Sequence, residues 1–214
     1  KRTPVAKGKR GSFAKVRPDD LMTHAMKGAL EGVDIDPNCI DDVIVGCAMP
    51  EAEQGLNVAR LCALMAGLPQ SVSGMTINRY CSSGLQSIAI AADRIALGAC
   101  DAMIAGGTES MSMIPMGGHN ISANKKFFDN DEALVGAAYG MGLTAECVAD
   151  KYKIDRQAQD AFAYQSHMRA IKAADSGAFK DEILPFDVAM PKPDLKTGSI
   201  KHDAITLSRD EGPR

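Results

Sequence analysis

Leu21, Met22, Ala25, Met26, Ala29 and Leu30 recur at three- and four-residue spacing behind Pro18-Asp19-Asp20, which predicts a helix opened by proline and acids and ending near Gly32. After a linker through Pro37 the texture changes. Val43-Ile44-Val45-Gly46-Cys47-Ala48 is a continuous apolar run of strand length, as expected of a strand covered on both faces. Residues 57–66 predict a second helix, stopped by Gly67 and Pro69. Val72, Met75 and Ile77 then supply a strand, and Leu85, Ile88, Ala89, Ala92, Ile95 and Ala96 a helix that runs to Gly98 without an internal proline. Residues 101–107 form another short apolar strand closing on Gly106-Gly107. Strand, helix, strand, helix, strand is the order of a mostly parallel sheet with helices on its faces, so the fold class is α/β. The helix after residue 81 is small and apolar nearly all round, which predicts burial between layers.

Beyond Gly107 a second region begins, irregular through Met111, Met113, Pro115, Met116 and Gly117-Gly118, with a loop at 125–128. Helices follow at 144–153 and from Arg156 to about residue 174, the second with Asp155 as N-cap and Gly177 as its stop. Residues 183–209 contain Pro185, Pro191, Pro193 and Gly198 and read as extended loop with short strands. The expected division is an α/β unit over 1–110 and an excursion over 111–214. Residues 1–18 carry seven basic side chains before the first acid, Asp19, yet Pro4, Gly8 and Gly11 argue against an amphipathic targeting helix. A solvated loop is the expectation there, in preference to a nucleic-acid arm. With no initiator methionine, and with a turn-rich run at 210–214, both ends read as interruptions.

Composition narrows the function. A chain of 214 residues buries about 70% of its unfolded surface and needs no staple. With 24 basic against 27 acidic residues there is no overall bias toward nucleic acid. No apolar run approaches the roughly 18 residues of a membrane span. The six cysteines show no C-x-x-C pair and no histidine at finger spacing, which argues against a metal site and for reduced thiols. His24 and His167 fall in predicted helices and His119 and His202 in predicted loops, none at metal-ligand spacing. Neither a G-x-G-x-x-G nor a P-loop motif is present, so dinucleotide and P-loop readings have no support.

One cysteine stands apart. Unpaired cysteine is most often inert core, but Cys81 falls at a predicted strand-to-helix turn among Asn78, Arg79, Ser82, Ser83 and Gly84. Small neighbours admit a substrate, and unpaired N–H groups at a helix start favour a thiolate. That context predicts a nucleophile.

The runs Arg2-Thr3-Pro4, Arg17-Pro18-Asp19-Asp20-Leu21, Asn78-Arg79-Tyr80-Cys81-Ser82-Ser83-Gly84-Leu85-Gln86, Gly106-Gly107-Thr108-Glu109-Ser110-Met111-Ser112, Met141-Gly142-Leu143-Thr144-Ala145-Glu146 and Gln159-Asp160-Ala161-Phe162-Ala163 resemble thiolase segments in the same order. The resemblance covers essentially the whole chain and is to the degradative 3-ketoacyl-CoA thiolases (acetyl-CoA acyltransferases). It implies a five-layered α/β/α/β/α architecture of two similar halves, this chain corresponding to the first half and most of an inserted CoA-binding loop domain. The second half, with Asn-Glu-Ala-Phe, Gly-His-Pro and Cys-x-Gly-Gly motifs, has no counterpart here. By the same resemblance Cys81 takes the acyl group from a 3-ketoacyl-CoA as acetyl-CoA leaves, and CoA, a cosubstrate and not a bound cofactor, then collects it. Met141 matches a position lining the pantetheine channel, and Arg214 one near the CoA phosphates. Gly140 stands where biosynthetic members tend to have histidine, which favours the degradative branch.

The resemblance further implies a homodimer or homotetramer and a place in a β-oxidation complex. The implied compartment is the cytoplasm in a bacterium and the mitochondrion or peroxisome in a eukaryote. Two other readings remain: a biosynthetic acetoacetyl-CoA thiolase, and a non-catalytic acyl-CoA-binding or dimerisation module. An ordinary thiol is only a few per cent thiolate at pH 7, and a helix start contributes at most roughly 2 kcal/mol toward ionising it. A base and a second acid are needed besides, so these 214 residues alone are expected not to turn over.

Overall fold

The computed structural model describes residues 1–128, 136, 139–193 and 196–213, with the backbone alone for 190–193 and 201–203. Two compact units emerge, residues 1–119 with 178–212, and residues 120–177. The division in space therefore does not coincide with the boundary expected at residue 110, because the segment 178–212 packs with the first unit.

In the first unit, helix α1 (Pro18–Leu30) starts on proline with Asp19 and Asp20 in its first turn, where acids suit the helix dipole. Strand β1 (Ile40–Gly46) follows, then α2 (Val58–Met65), whose N-cap Asn57 accepts a bond from the Arg60 N–H. Strand β2 (Ser73–Ile77), helix α3 (Ser83–Ala96) and strand β3 (Ala102–Gly107) complete the predicted alternation. The three strands form a parallel sheet in the order β2-β1-β3.

Alternation along the central strand divides the helices between the two faces. Val43 and Val45 point one way, into a core with Met22 and Met26 of α1 and Val58, Ala59, Cys62 and Ala63 of α2. Asp42, Ile44 and Gly46 point the other way, toward α3. Arg94 of α3 is 2.9 Å from the buried Asp42, and a Cβ on Gly46 would lie 2.2 Å from the Ser83 carbonyl carbon. Layers α, β and α result. The expected burial of α3 is not observed: Ser83, Ser87 and Ala91 are covered, whereas Leu85 is 72% and Ile88 54% exposed. Only the face toward the sheet meets a partner among the described residues.

The short strands expected within an extended loop over 183–209 are present, and they are longer than expected. Strands β4 (Phe186–Pro193) and β5 (Ile200–Leu207) pair antiparallel over eight residues, from Phe186 with Leu207 to Pro193 with Ile200. Proline is tolerated because each strand of a two-stranded ribbon has a free edge, where a missing N–H costs nothing. His202 consequently lies in a strand and not a loop.

The basic N-terminal stretch is a loop with exposed lysines, as expected, but it is anchored to the fold. Pro4, Gly11 and Phe13 are buried. Arg2 donates to both carboxylate oxygens of Asp210, at 2.8 and 3.0 Å, and to Glu182 at 2.8 Å. Asp210 also accepts from the Val5 N–H at 2.8 Å, and Glu211 from the Lys7 and Ser12 N–H groups at 3.0 and 3.1 Å. The Arg2 bonds, with the nearby Val5 N–H, hold the Asp210 carboxyl below its usual range against partial burial. Burial pushes Glu211 the other way, and the bonds from Ser12 and Lys7 outweigh it.

The second unit contains α4 (Met141–Tyr152) and α5 (Arg156–Asp175). Lys153, at φ 54°, ends the first in the left-handed region. Asp155 caps the second through the Ala158 N–H at 2.7 Å, and Gly177, at φ 76°, follows its end. These are the cap and stop that the residues predict.

Candidate active site

All three parallel strands end on the same edge of the sheet, at Gly46, Ile77 and Gly107. Crevices outside the carboxyl ends of such strands are where α/β proteins bind ligands. Cys81 lies there, exposed, between the end of β2 and the start of α3.

The turn is built by side chains. Asn78 spans two loops, its Nδ2 donating to the Ala48 carbonyl at 2.9 Å and its Oδ1 accepting from the Tyr80 N–H at 2.9 Å. Tyr80 is thereby held at φ 47°, an unusual conformation for a bulky residue and one that persists only when neighbours over-determine it. The buried Ser83 hydroxyl accepts from the Arg79 N–H at 2.8 Å and donates to the Tyr80 carbonyl at 2.6 Å. Cys81 is thus bracketed between Asn78 and Ser83, with its side chain left in solvent.

Close backbone packing seats this turn on the sheet. Gly46 receives Ser83 and Gly84 where any Cβ would collide, and a Cβ on Gly107 would lie 3.2 Å from the Gly84 Cα. The Ser87 hydroxyl sits 2.7 Å from both the Gly84 and Gly106 carbonyls, joining α3 to β3. Glu109 supports the same edge by accepting from the Ala48 N–H at 2.6 Å and from the fully buried Gln54 side chain. Gln54 in turn donates to the Met49 carbonyl at 2.8 Å and accepts from the Ser110 N–H at 3.1 Å. Sequence pattern singled out Asn78, Ser83 and Gly84 as neighbours of Cys81, but not Gly46 or Gln54. A lone glycine within an apolar strand, a mark of close backbone approach, is the signal that could have found the first.

Cys47 and Cys62 differ in kind. Cys47 ends on the same sheet edge but is buried, and burial with the nearby Glu109 charge pushes its thiol up to about 12. Burial raises Cys62 to about 11. Such thiols stay protonated and unreactive.

Of the remaining expected site residues, Met141 opens α4 in the second unit, 65% exposed. Arg214 lies outside the described residues.

A parallel sheet flanked by helices, with an exposed thiol on a strand-to-helix turn at its carboxyl edge, places the chain among the layered α/β proteins. More specifically, the family model for the thiolase N-terminal domain matches residues 1–214, and the chain belongs to the thiolase family. It is 49% identical to a 3-ketoacyl-CoA thiolase of Bacillus subtilis, over all of this chain and 54% of that protein. A peroxisomal 3-ketoacyl-CoA thiolase of Arabidopsis thaliana is 39% identical, over all of this chain and 45% of the relative. Among solved structures, the Bacillus anthracis acetyl-CoA acetyltransferase superposes with a TM-score of 0.78 at 32% identity, over all of this chain and 53% of that one. The chain spans about half the length of these relatives, and its architecture is half of a thiolase fold.

Proposed function

We propose that Cys81 is the nucleophile of a thiolytic acyl transfer on 3-ketoacyl-CoA. The observation that carries this reading is an exposed thiol on a turn pinned by Asn78 and Ser83 at the carboxyl edge of the sheet. The Cys81 thiolate attacks the 3-keto carbonyl, the bond between C2 and C3 breaks, and the departing carbon takes up a proton as acetyl-CoA. The sulfur of a second CoA then takes the acyl group, and Cys81 recovers as thiol. The Cys81 N–H helps hold the thioester oxygen. The excursion that begins at residue 111, of which 120–177 form a compact unit, acts in CoA binding, with Met141 lining the pantetheine and Arg214 near the phosphates. The working protein is a homo-oligomer and serves fatty-acid β-oxidation.

A second reading, condensation of two acetyl-CoA molecules, draws on the likeness to an acetyl-CoA acetyltransferase. Gly140 and the higher identity to 3-ketoacyl-CoA thiolases favour the degradative reading. The test is incubation of the intact polypeptide, as encoded, with acetoacetyl-CoA and with longer 3-ketoacyl-CoA. Cleavage that needs CoA, an acyl mass on Cys81 and loss of both in Cys81→Ser are expected. A preference for acetoacetyl-CoA alone would favour condensation, and acyl-CoA binding without an adduct would overturn the catalytic reading. The 214 residues alone are expected to give no sustained turnover, because deprotonating Cys81 and protonating the leaving group each need a further group.

A further inference from the structure

The basic stretch at the N-terminus has no part in the chemistry of Cys81, and the structure gives it a shape. Residues 7–11 form a tight turn in which the Gly11 N–H donates to the Lys7 carbonyl at 2.9 Å and the Lys9 N–H to the Ser112 hydroxyl at 2.9 Å. With Glu211 holding Lys7 and Ser12, the loop is fixed in place beside strand β4. Between them lies a cleft of about 540 Å³, lined by Lys9, Arg10, Lys15 and Arg17 on one side and by Phe186 and Val188 on the other. This falls within the roughly 300–1,000 Å³ typical of small-molecule sites.

Charge selects the ligand class. Arg17 is neutralised by Asp19 at 2.8 Å, but the heads of Lys9, Arg10 and Lys15 make no ion pair among the described residues. Asp20 and Asp187 are the opposing acids on the lining, and Asp187 is engaged by the Thr206 hydroxyl at 2.6 Å. Like charges gathered on a constrained loop repel one another, and a bound polyanion relieves that repulsion. Half-buried Phe186 offers an apolar surface to the remainder of such a ligand. We propose that this cleft binds a phosphate-bearing small molecule of nucleoside diphosphate size, through Lys9, Arg10 and Lys15. The concave shape favours a small ligand over a flat acidic protein surface. Phosphates of that kind occur in free nucleotides and in the nucleotide end of CoA, and only the second source rests on the function proposed above.

The test uses the intact polypeptide with ADP and inorganic diphosphate as probes. Amine acetylation followed by mass spectrometry should show Lys9 and Lys15 protected by either probe, with protection fading as salt rises past about 0.1 M. Arg10→Glu and Lys15→Glu should each weaken ADP binding about tenfold, with unchanged melting temperature. Competition by CoA, with the same two lysines protected, assigns the phosphates to the cosubstrate. Protection by ADP but not CoA assigns them to a separate nucleotide, and this outcome stands whether or not Cys81 is a nucleophile. Absence of protection by both probes overturns the proposal. So does wild-type ADP affinity in both variants, or protection by an acidic peptide alone. The protection arm uses the unmodified chain and so does not depend on variant folding.

Discussion

Gly46→Ala is the sharpest probe of how the sheet positions Cys81. The added Cβ would fall 2.2 Å from the Ser83 carbonyl carbon, 2.4 Å from its oxygen and 2.5 Å from the Gly84 nitrogen, where ordinary contact begins near 3.4 Å. All three neighbours are backbone, so no rotamer change relieves the clash. The first turn of α3 must retreat by roughly 1 Å, and it carries with it the Ser83 hydroxyl that fixes Arg79 and Tyr80 just ahead of Cys81. Overpacking of this kind costs about 1–3 kcal/mol of stability, and a nucleophile displaced by about 1 Å can lose about a hundredfold in rate. Gly74→Ala is the matched control. Its Cβ would meet the Arg60 backbone nitrogen of α2 at 2.6 Å, on the opposite face of the sheet, and should cost similar stability while leaving the Cys81 turn in place. Thermal melts and Cys81 acylation rates, compared at equal fraction folded, separate the two. Wild-type acylation in Gly46→Ala, or an equal loss in Gly74→Ala, would refute this account of the turn.

Ser83→Ala leaves the Arg79 N–H without its acceptor and should destabilise by about 1–3 kcal/mol, with a faster loss of Cys81 acylation than of overall fold on mild heating. Thiol labelling at pH 8 should mark the exposed Cys39, Cys81 and Cys147 in the folded protein. Cys47 and Cys62, pushed up to about 12 and about 11, should label only after unfolding. The Asp210 carboxyl is held below its ordinary range by Arg2, so its contribution to stability is fully present above about pH 4 and is lost as pH falls through the depressed value. Asp210→Asn should flatten acid unfolding monitored by circular dichroism in that window. An unchanged acid limb would refute the role of the clasp.

Much of the architecture was legible in the residues alone, because its signals are local. Pro18 with two acids, Asn57, Asp155 and Gly177 mark helix ends through bonds that span only a few positions. The continuous apolar run at 43–48 reads directly as a strand covered on both faces, and the order of elements implies parallel pairing. The Cys81 turn was equally legible, since its small polar neighbours adjoin it in the chain.

Long-range contacts were not legible. No periodicity reveals that Asp210 and Glu211 hold a loop some 200 residues away, turning a basic run that reads as solvated into one wall of a cleft. Nor does it reveal that Pro191 and Pro193 sit in a paired strand, since proline is excluded from sheets only where a partner needs its N–H. Composition also suggested that α3 is buried all round, but burial depends on what lies opposite, and among the described residues only its sheet-facing side is covered. Sequence alone determined the α/β elements of residues 18–107, their order and the strand-to-helix turn at Cys81, because backbone propensity and capping act over a few residues. Tertiary structure decided which of two neighbouring thiols on one sheet edge is exposed and why Gly46 must lack a side chain, because both follow from surfaces that meet only after the chain has folded.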